Sequence, residues 1–147
     1  MARQVSVIGS GREWEGDAED VGRLLAEQGC AVVTGGLDEV MEAAHRGAKA
    51  AGGTTIAILP GEDRHAANRW ADHVVVTGIG HARNLAVAAS GEAVIAIGGS
   101  YGTLAEMALA LRLGRTVVAL AGAPEVEGAL RAATPSEAVA LALRDLG

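Results

Sequence analysis

Short apolar runs alternate along the whole chain with longer segments in which apolar residues recur at helical spacing. Runs of Val, Ile, Ala and Leu that are bounded by turn residues are typical of buried strands. The sequence therefore predicts six strands, at residues 4–9, 31–36, 54–61, 73–78, 93–99 and 116–122.

The segments between these runs predict helices over residues 18–28, 38–50, 81–90 and 102–113. A last helix begins at Thr134, which is followed by Pro135 and by Glu137 in a capping box with a first-turn proline. Buried strands that alternate with helices favour a parallel sheet covered on both faces. With right-handed crossovers, the pattern predicts an α/β fold. We expect a single Rossmann-like, doubly wound domain over residues 1–147.

Composition and charge narrow the classes of function. Half of the 147 residues are hydrophobic and 20% are charged, which is typical of one globular domain. The net charge is −6 and the basic residues are scattered, which argues against nucleic acid and membrane surfaces as partners. No apolar run reaches the roughly 18 residues of a membrane span, and the N-terminus shows no export signal. We therefore expect a cytoplasmic protein, with the single cysteine, Cys30, in the core.

Glycine-rich turns follow most of the predicted strands. In a parallel sheet, the carboxyl ends of the strands open on one edge, where ligands bind. The turn at residues 98–103 leads into a helix, whose free N–H groups and dipole form a ready anion site. Thr103 adds a hydroxyl donor there. The phosphate itself is predicted to lie around Gly99, Ser100, Gly102 and Thr103. The residues predicted to bind the ligand or its phosphate are Gly9, Ser10, Gly35, Gly36, Asn84, Gly98, Gly99, Ser100, Tyr101, Gly102 and Thr103.

Two known phosphate motifs are absent from the sequence. The first strand is not followed by GxGxxG, because Gly11 leads into Arg12, Glu13 and Trp14. No Gly-Lys-Ser/Thr follows any glycine turn, which excludes a P-loop. Glycine turns without a ligand are common in α/β domains, and this alternative applies to each turn taken alone.

A second turn, "TGIGHARN" at residues 77–84, strengthens the prediction of an anion site. It places Arg83 and Asn84 at the start of a helix that follows the neighbouring strand in sequence. An arginine beside such a turn is a natural clamp for an anion. The alternative is a surface arginine paired with a carboxylate.

These motifs resemble the LOG (Lonely Guy) superfamily, and more closely its bacterial branch related to molybdenum-cofactor carrier proteins. Members were long labelled possible lysine decarboxylases. The resemblance covers nearly the whole chain, and its strongest motif is Gly-Gly-x-x-Gly-Thr-x-x-Glu at residues 98–106. It implies hydrolysis of the N-glycosidic bond of a nucleoside 5′-monophosphate to base and ribose 5-phosphate, without a cofactor. It also implies that Arg83 and Glu106 are the catalytic pair.

The resemblance leaves two functions open. Arg83 and Glu106 together favour a phosphoribohydrolase, in which an ionised Glu106 stabilises the oxocarbenium-like ribose. The alternative is a carrier or sensor that does not catalyse and that binds a nucleotide or, as cargo, the molybdenum cofactor. Three departures from the enzymes support the carrier alternative. Ile97 stands where the enzymes usually have Pro, Asn84 where they usually have Lys, and Glu39 where they usually have Gly. A DNA-processing role rests only on distant fold kinship, and the acidic charge counts against it.

Two further expectations concern assembly and metals. Family members associate through helices beside the active site, and residues 104–114 carry apolar residues on more than one helix face, so we expect a homodimer or larger homo-oligomer. A fully buried central helix is the alternative. The four histidines, His45, His65, His73 and His81, show no metal-ligand spacing. We expect no metal site and place each histidine on the surface or in a loop.

Overall fold

The computed structural model describes residues 1–146, so Gly147 of the predicted domain lies outside the described residues. Within this range, seven strands form one sheet in the order β4-β3-β2-β1-β5-β6-β7, and every neighbouring pair is parallel. The strands are β1 Gln4–Ser10, β2 Ala31–Thr34, β3 Thr55–Leu59, β4 His73–Val76, β5 Ala93–Gly98, β6 Thr116–Leu120 and β7 Leu130–Arg131.

Helices cover both faces of the sheet, and the predicted fold class is confirmed. On one face lie α1, α2 and α5, and on the other lie α3 and α4. Each face of the sheet forms a hydrophobic core with its helices, and side chains along a strand alternate between the two cores. On β5, Ile95 and Ile97 pack in the core under α1, α2 and α5, whereas Val94 and Ala96 pack in the core under α3 and α4. The helices are α1 Glu15–Glu27, α2 Val40–Ala50, α3 Arg83–Ser90, α4 Tyr101–Arg112 and α5 Pro135–Leu143.

The structure adds a seventh strand that the pattern does not predict. β7 has only two residues, which is too short to show an apolar alternation, and it pairs with Val118 and Ala119 of β6. The start of the last helix shows half of the predicted capping box, because the Thr134 hydroxyl accepts a hydrogen bond from the Glu137 N–H at 3.1 Å. The Glu137 carboxylate accepts from the Ala133 N–H at 3.1 Å, one residue before the N–H that a capping box uses.

The strand order creates a crevice at the carboxyl edge of the sheet. From β1 the chain moves outward to β2, β3 and β4, and then returns to place β5 on the other side of β1. The turns after β1 and β5 therefore flank the topological switch point, where ligands bind in open α/β sheets.

Helix α4 is only partly buried. Met107 and Ala110 face the core, whereas Tyr101 and Ala108 are exposed, so the alternative of a fully buried helix is not observed. Self-association stays a prediction. None of the helices within residues 1–146 has the length and apolar character needed to cross a bilayer.

Candidate functional site

A cavity of about 210 Å³ opens at the switch point between β1 and β5. Turns from four strands reach it, because the carboxyl ends of parallel strands share one edge. Of the residues predicted from the sequence, the cavity is lined by Gly9, Ser10, Gly35, Arg83, Asn84, Ser100, Gly102, Thr103 and Glu106. Four lining residues were not predicted: Val7, Ile8, Met41 and His81.

Arg83 is a buried cation on the wall of this cavity. It begins α3, its residue is only 9% exposed, and its guanidinium lies against Gly35, where an added Cβ would fall 2.8 Å from Cζ. Nη1 donates a hydrogen bond to Asn84 Oδ1 at 3.2 Å, while Nε is buried without a partner among residues 1–146. The alternative of a surface arginine in an ion pair is therefore excluded.

Glu106 supplies a carboxyl group to the same cavity. It lies one turn into α4 and is 8% exposed. Burial raises the pKa of Glu106 to about 7, although the positive charge of Arg83 opposes this shift. The predicted ionised state of Glu106 therefore holds only above about pH 7 in the unliganded protein.

Arg83 and Glu106 face the cavity together. Burial lowers the pKa of Arg83 and the charge of Glu106 raises it, so each group acts on the other electrostatically. Within residues 1–146 no salt bridge joins the two side chains. A buried charge without a direct partner is costly. An anion bound in the cavity would give the guanidinium the partner that the protein does not supply.

The N-terminus of α4 opens into the cavity without a side-chain cap in the described part of the chain. Ser100 is the N-cap residue, and Gly102 and Thr103 lie in the first turn. The amide groups of this turn and the helix dipole favour an anion. The side chain of Thr103 lies over Gly99 and is 5% exposed, so its hydroxyl is part of the wall.

The amides of Gly98 and Gly99 serve the fold and are not available to a ligand. The N–H of Gly98 donates to the Ala121 carbonyl at 2.8 Å, and the N–H of Gly99 donates to the Ser10 carbonyl at 3.0 Å. Gly98 has φ 58° and packs against the indole of Trp14. Neither glycine lines the cavity, and both shape the turn. A contact between these glycines and a ligand stays a prediction, and it would not use their bonded N–H groups.

Two more predicted ligand contacts do not line the cavity. Gly36 is buried against Ala57 and Leu59, where an added Cβ would fall 2.7 Å from the Ala57 side chain. Tyr101 is 86% exposed and lies outside the cavity wall. Gly36 was predicted because it lies in a glycine turn, and Tyr101 because it lies at the start of a helix. Packing and side-chain direction decide which residues of such segments line the cavity.

One histidine differs from its predicted surface or loop position. His45, on α2, is fully buried, with Nε2 3.2 Å from the Thr34 hydroxyl and Nδ1 3.3 Å from the Asn68 amide nitrogen. The Thr34 hydroxyl in turn accepts a hydrogen bond from the Gly36 N–H. Burial lowers the pKa of His45 to about 4. The neutral imidazole therefore helps to fix the turn after β2, which carries Gly35.

No group of three or more His, Cys, Asp or Glu within residues 1–146 is arranged to hold a metal ion. The cavity instead combines an arginine, a carboxyl group, hydroxyls and helix-start amides, which suit a phosphate-bearing organic ligand.

Gly102→Ala tests whether the first turn of α4 keeps room for a ligand. An added Cβ would meet no atom within 4 Å, so packing in the protein does not require this glycine. We expect alanine to stabilise the fold by up to about 1 kcal/mol while weakening AMP binding about tenfold. Calorimetry would measure AMP binding, and thermal denaturation would measure the stability of the fold.

Gly16→Ala is the matched control. Gly16 is also the second residue of its helix, α1, and an added Cβ there also meets no atom within 4 Å. It should stabilise the fold without changing AMP binding. Equal AMP affinity in Gly102→Ala and the natural chain would show that Gly102 is not kept for a ligand.

The fold and the switch-point cavity define a Rossmann-like α/β protein with its candidate site at the carboxyl edge of the sheet. The chain belongs to the SLOG cluster4 family, whose model matches residues 2–143. An uncharacterized protein of Archaeoglobus fulgidus is 43% identical over 139 residues, which cover 92% of this chain and 91% of that protein.

Two solved structures are similar to this chain over almost its full length. The molybdenum cofactor binding protein from the phototrophic bacterium Rippkaea orientalis has a TM-score of 0.92 and 32% identity, covering 100% of this chain and 99% of that one. The molybdenum cofactor carrier protein from Chlamydomonas reinhardtii has a TM-score of 0.90 and 32% identity, covering 99% of each chain. The predicted membership of the LOG and molybdenum-cofactor-carrier-like superfamily is confirmed.

Proposed function

We propose that the chain binds a phosphate-bearing, nucleotide-like ligand in the switch-point cavity and acts as a carrier, with the molybdenum cofactor as its cargo. The observation that carries this proposal is Arg83: a nearly buried guanidinium with an unpartnered Nε, beside the uncapped start of α4. The similarity to a molybdenum cofactor binding protein and a carrier protein over almost the full chain supports the choice of cargo.

The phosphate of the ligand would lie at the start of α4. The amides of the first turn, the Thr103 hydroxyl and the Arg83 guanidinium surround this position. A neutral Glu106 would not repel the phosphate, and its raised pKa keeps a large fraction neutral at pH 7. A bound dianion would raise that pKa further, because like charges disfavour ionisation.

The rest of the ligand would extend toward the turns after β2 and β3. A second cavity, of about 270 Å³, shares His81, Arg83 and Asn84 with the first and is also lined by Leu37, Pro60 and Gly80. Its apolar walls suit a planar ring system such as a pterin or a purine. The oxygen of the Asn84 amide accepts from Arg83, which leaves the amide NH₂ group as a donor to a ring atom.

A second candidate function is hydrolysis of nucleoside 5′-monophosphates. It is favoured by the presence of both Arg83 and Glu106 on one cavity wall. In that reaction the ionised Glu106 would face the positive charge that develops at the anomeric carbon, and Arg83 would hold the phosphate. An ionised Glu106 is needed here, whereas the carrier is served by the neutral form.

Binding and turnover measurements on the same preparation test both functions. Molybdopterin released from a molybdoenzyme and a panel of nucleoside monophosphates would be the probes, with titration calorimetry for binding and chromatography for free base. The carrier proposal expects molybdopterin to bind at one site per chain and no base to be released. Arg83→Gln should weaken binding at least about tenfold.

The results separate the functions. Release of free base from a monophosphate would favour the hydrolase over the carrier. Failure of every phosphate-bearing probe to bind at millimolar concentration would contradict both. Equal affinity in Arg83→Gln and the natural chain would show that the ligand lies elsewhere.

A further inference from the structure

Two glycine turns lie side by side at the switch point. β1 pairs with β5, with Ser10 opposite Gly98, and the Gly99 N–H donates to the Ser10 carbonyl at 3.0 Å. Each turn leads toward a helix, α1 after the first and α4 after the second. A ligand phosphate at the start of α4 would therefore have the first turn as its immediate neighbour.

The first turn already holds an anion of the protein. Oε2 of Glu39 accepts a hydrogen bond from the Gly11 N–H at 2.6 Å. A carboxylate on a backbone N–H is a short, charge-assisted interaction of the type that a phosphate oxygen would make. The second turn has no such internal partner among the described residues, because α4 begins without a side-chain cap.

The backbone of Glu39 is held in an unusual conformation. With φ 57°, Glu39 is the one residue other than glycine with a positive φ in the described range. Residues that carry a side chain rarely adopt this backbone conformation, whereas glycine adopts it without strain. The surrounding structure thus keeps a carboxylate beside Gly11 at a position where the backbone itself favours glycine.

We infer that Glu39 restricts the site to ligands with a single phosphate at the switch point; this inference rests on the function proposed above. The second phosphate of a diphosphate would meet the Glu39 carboxylate, which both occupies the Gly11 amide and repels the added charge. Glu39 does not line the switch-point cavity; it lines a separate cavity of about 280 Å³ beside the first turn. The other residues of this separate cavity are Arg12, Glu15, Asp38 and Glu42, so the local charge is negative where a second phosphate would extend. Phosphate monoesters of a nucleoside or a pterin are accepted, and diphosphates and dinucleotides are excluded.

Titration calorimetry with AMP and ADP at pH 8 and fixed ionic strength tests this role. The natural chain should bind AMP more tightly than ADP. Glu39→Gly removes the carboxylate and suits the positive φ, and it should raise the affinity for ADP by roughly tenfold to a hundredfold while changing that for AMP less than about threefold. Glu39→Gln removes the charge but keeps an acceptor for the Gly11 N–H, so it should gain less.

Glu42→Gln is the matched control, because Glu42 lines the same separate cavity as Glu39 but does not bond to Gly11. An equal gain for ADP in Glu42→Gln would assign the effect to general charge and overturn the role of Glu39. Equal binding of AMP and ADP by the natural chain would also overturn it, while leaving the proposed function intact. If no variant binds AMP but Glu39→Gly binds ADP, the proposed monophosphate function fails and the blocking role of Glu39 stands.

Discussion

We expect Glu106→Gln to bind sulfate about tenfold more tightly than the natural chain at pH 8, and equally tightly at pH 5. The pKa of Glu106 is raised to about 7, so roughly one tenth of the natural chains are protonated at pH 8. If only the neutral form accepts an anion, the apparent affinity is reduced by that fraction. Glutamine keeps the shape of the neutral form and does not ionise. Sulfate is the probe because a phosphate monoester itself titrates near pH 6.

The same variant separates the candidate functions. A phosphoribohydrolase needs the ionised carboxylate opposite the developing positive charge, so Glu106→Gln should lose on the order of 10²-fold or more in turnover of a nucleoside monophosphate. A carrier has no turnover to lose and should show only the tighter binding. A residue with a structural role alone would shift the melting temperature and leave binding unchanged.

Two controls show whether the change in sulfate affinity is due to Glu106. His81 lines the same cavity and is common to both proteins, so the ratio of their affinities at each pH isolates Glu106. Glu127→Gln changes an exposed carboxylate and should behave as the natural chain at both pH values. A sulfate affinity ratio that does not change between pH 5 and pH 8 would contradict a Glu106 that titrates near neutrality, and full turnover in Glu106→Gln would end its assignment as a catalytic residue.

The second large effect is on stability as a function of pH. Between pH 4.5 and 6.5 the free energy of unfolding of Glu106→Gln should rise by about 2 kcal/mol, while that of the natural chain changes little. The difference arises because two buried groups, Glu106 and His45, act in opposite directions.

The signs follow from the pKa values. Burial lowers the pKa of His45 from 6.5 to about 4, so its stabilisation is complete above pH 6.5 and is lost as the pH falls toward 4. Burial raises the pKa of Glu106 from 4.5 to about 7, so its contribution is complete below pH 4.5 and is lost as the pH rises toward 7. The shifts are of similar size and nearly cancel in the natural chain.

Urea denaturation at a series of pH values, followed by the fluorescence of Trp14 and Trp70, measures this difference. In His45→Gln the free energy of unfolding should fall as the pH rises from 4.5 to 6.5, because the contribution of Glu106 is lost and no contribution of His45 offsets the loss. Parallel pH profiles for the natural chain and Glu106→Gln would mean that Glu106 does not carry a raised pKa in the folded protein.

The sequence alone determined the class of the fold, and it predicted the sheet edge at which the candidate cavity lies. Continuous apolar runs between amphipathic segments allow few arrangements besides a parallel sheet with helices on both faces. In such a sheet the residues that follow the strands meet at one edge. Arg83 and Glu106 could therefore be predicted to approach one another, although 23 positions separate them along the chain.

The tertiary structure decided the features that depend on long-range contacts. The strand order places β5 between β1 and β6, so the Gly99 N–H bonds to Ser10 after β1 and the Gly98 N–H bonds to Ala121 after β6. Packing buries His45 in a network that its spacing did not reveal, and it raises the pKa of Glu106 toward neutrality. The bond from Gly11 to Glu39 joins residues on different turns. The periodicity of a sequence shows which side of a helix or strand faces the core. The burial of a particular side chain and its hydrogen-bond partners depend on which distant residues pack against that helix or strand.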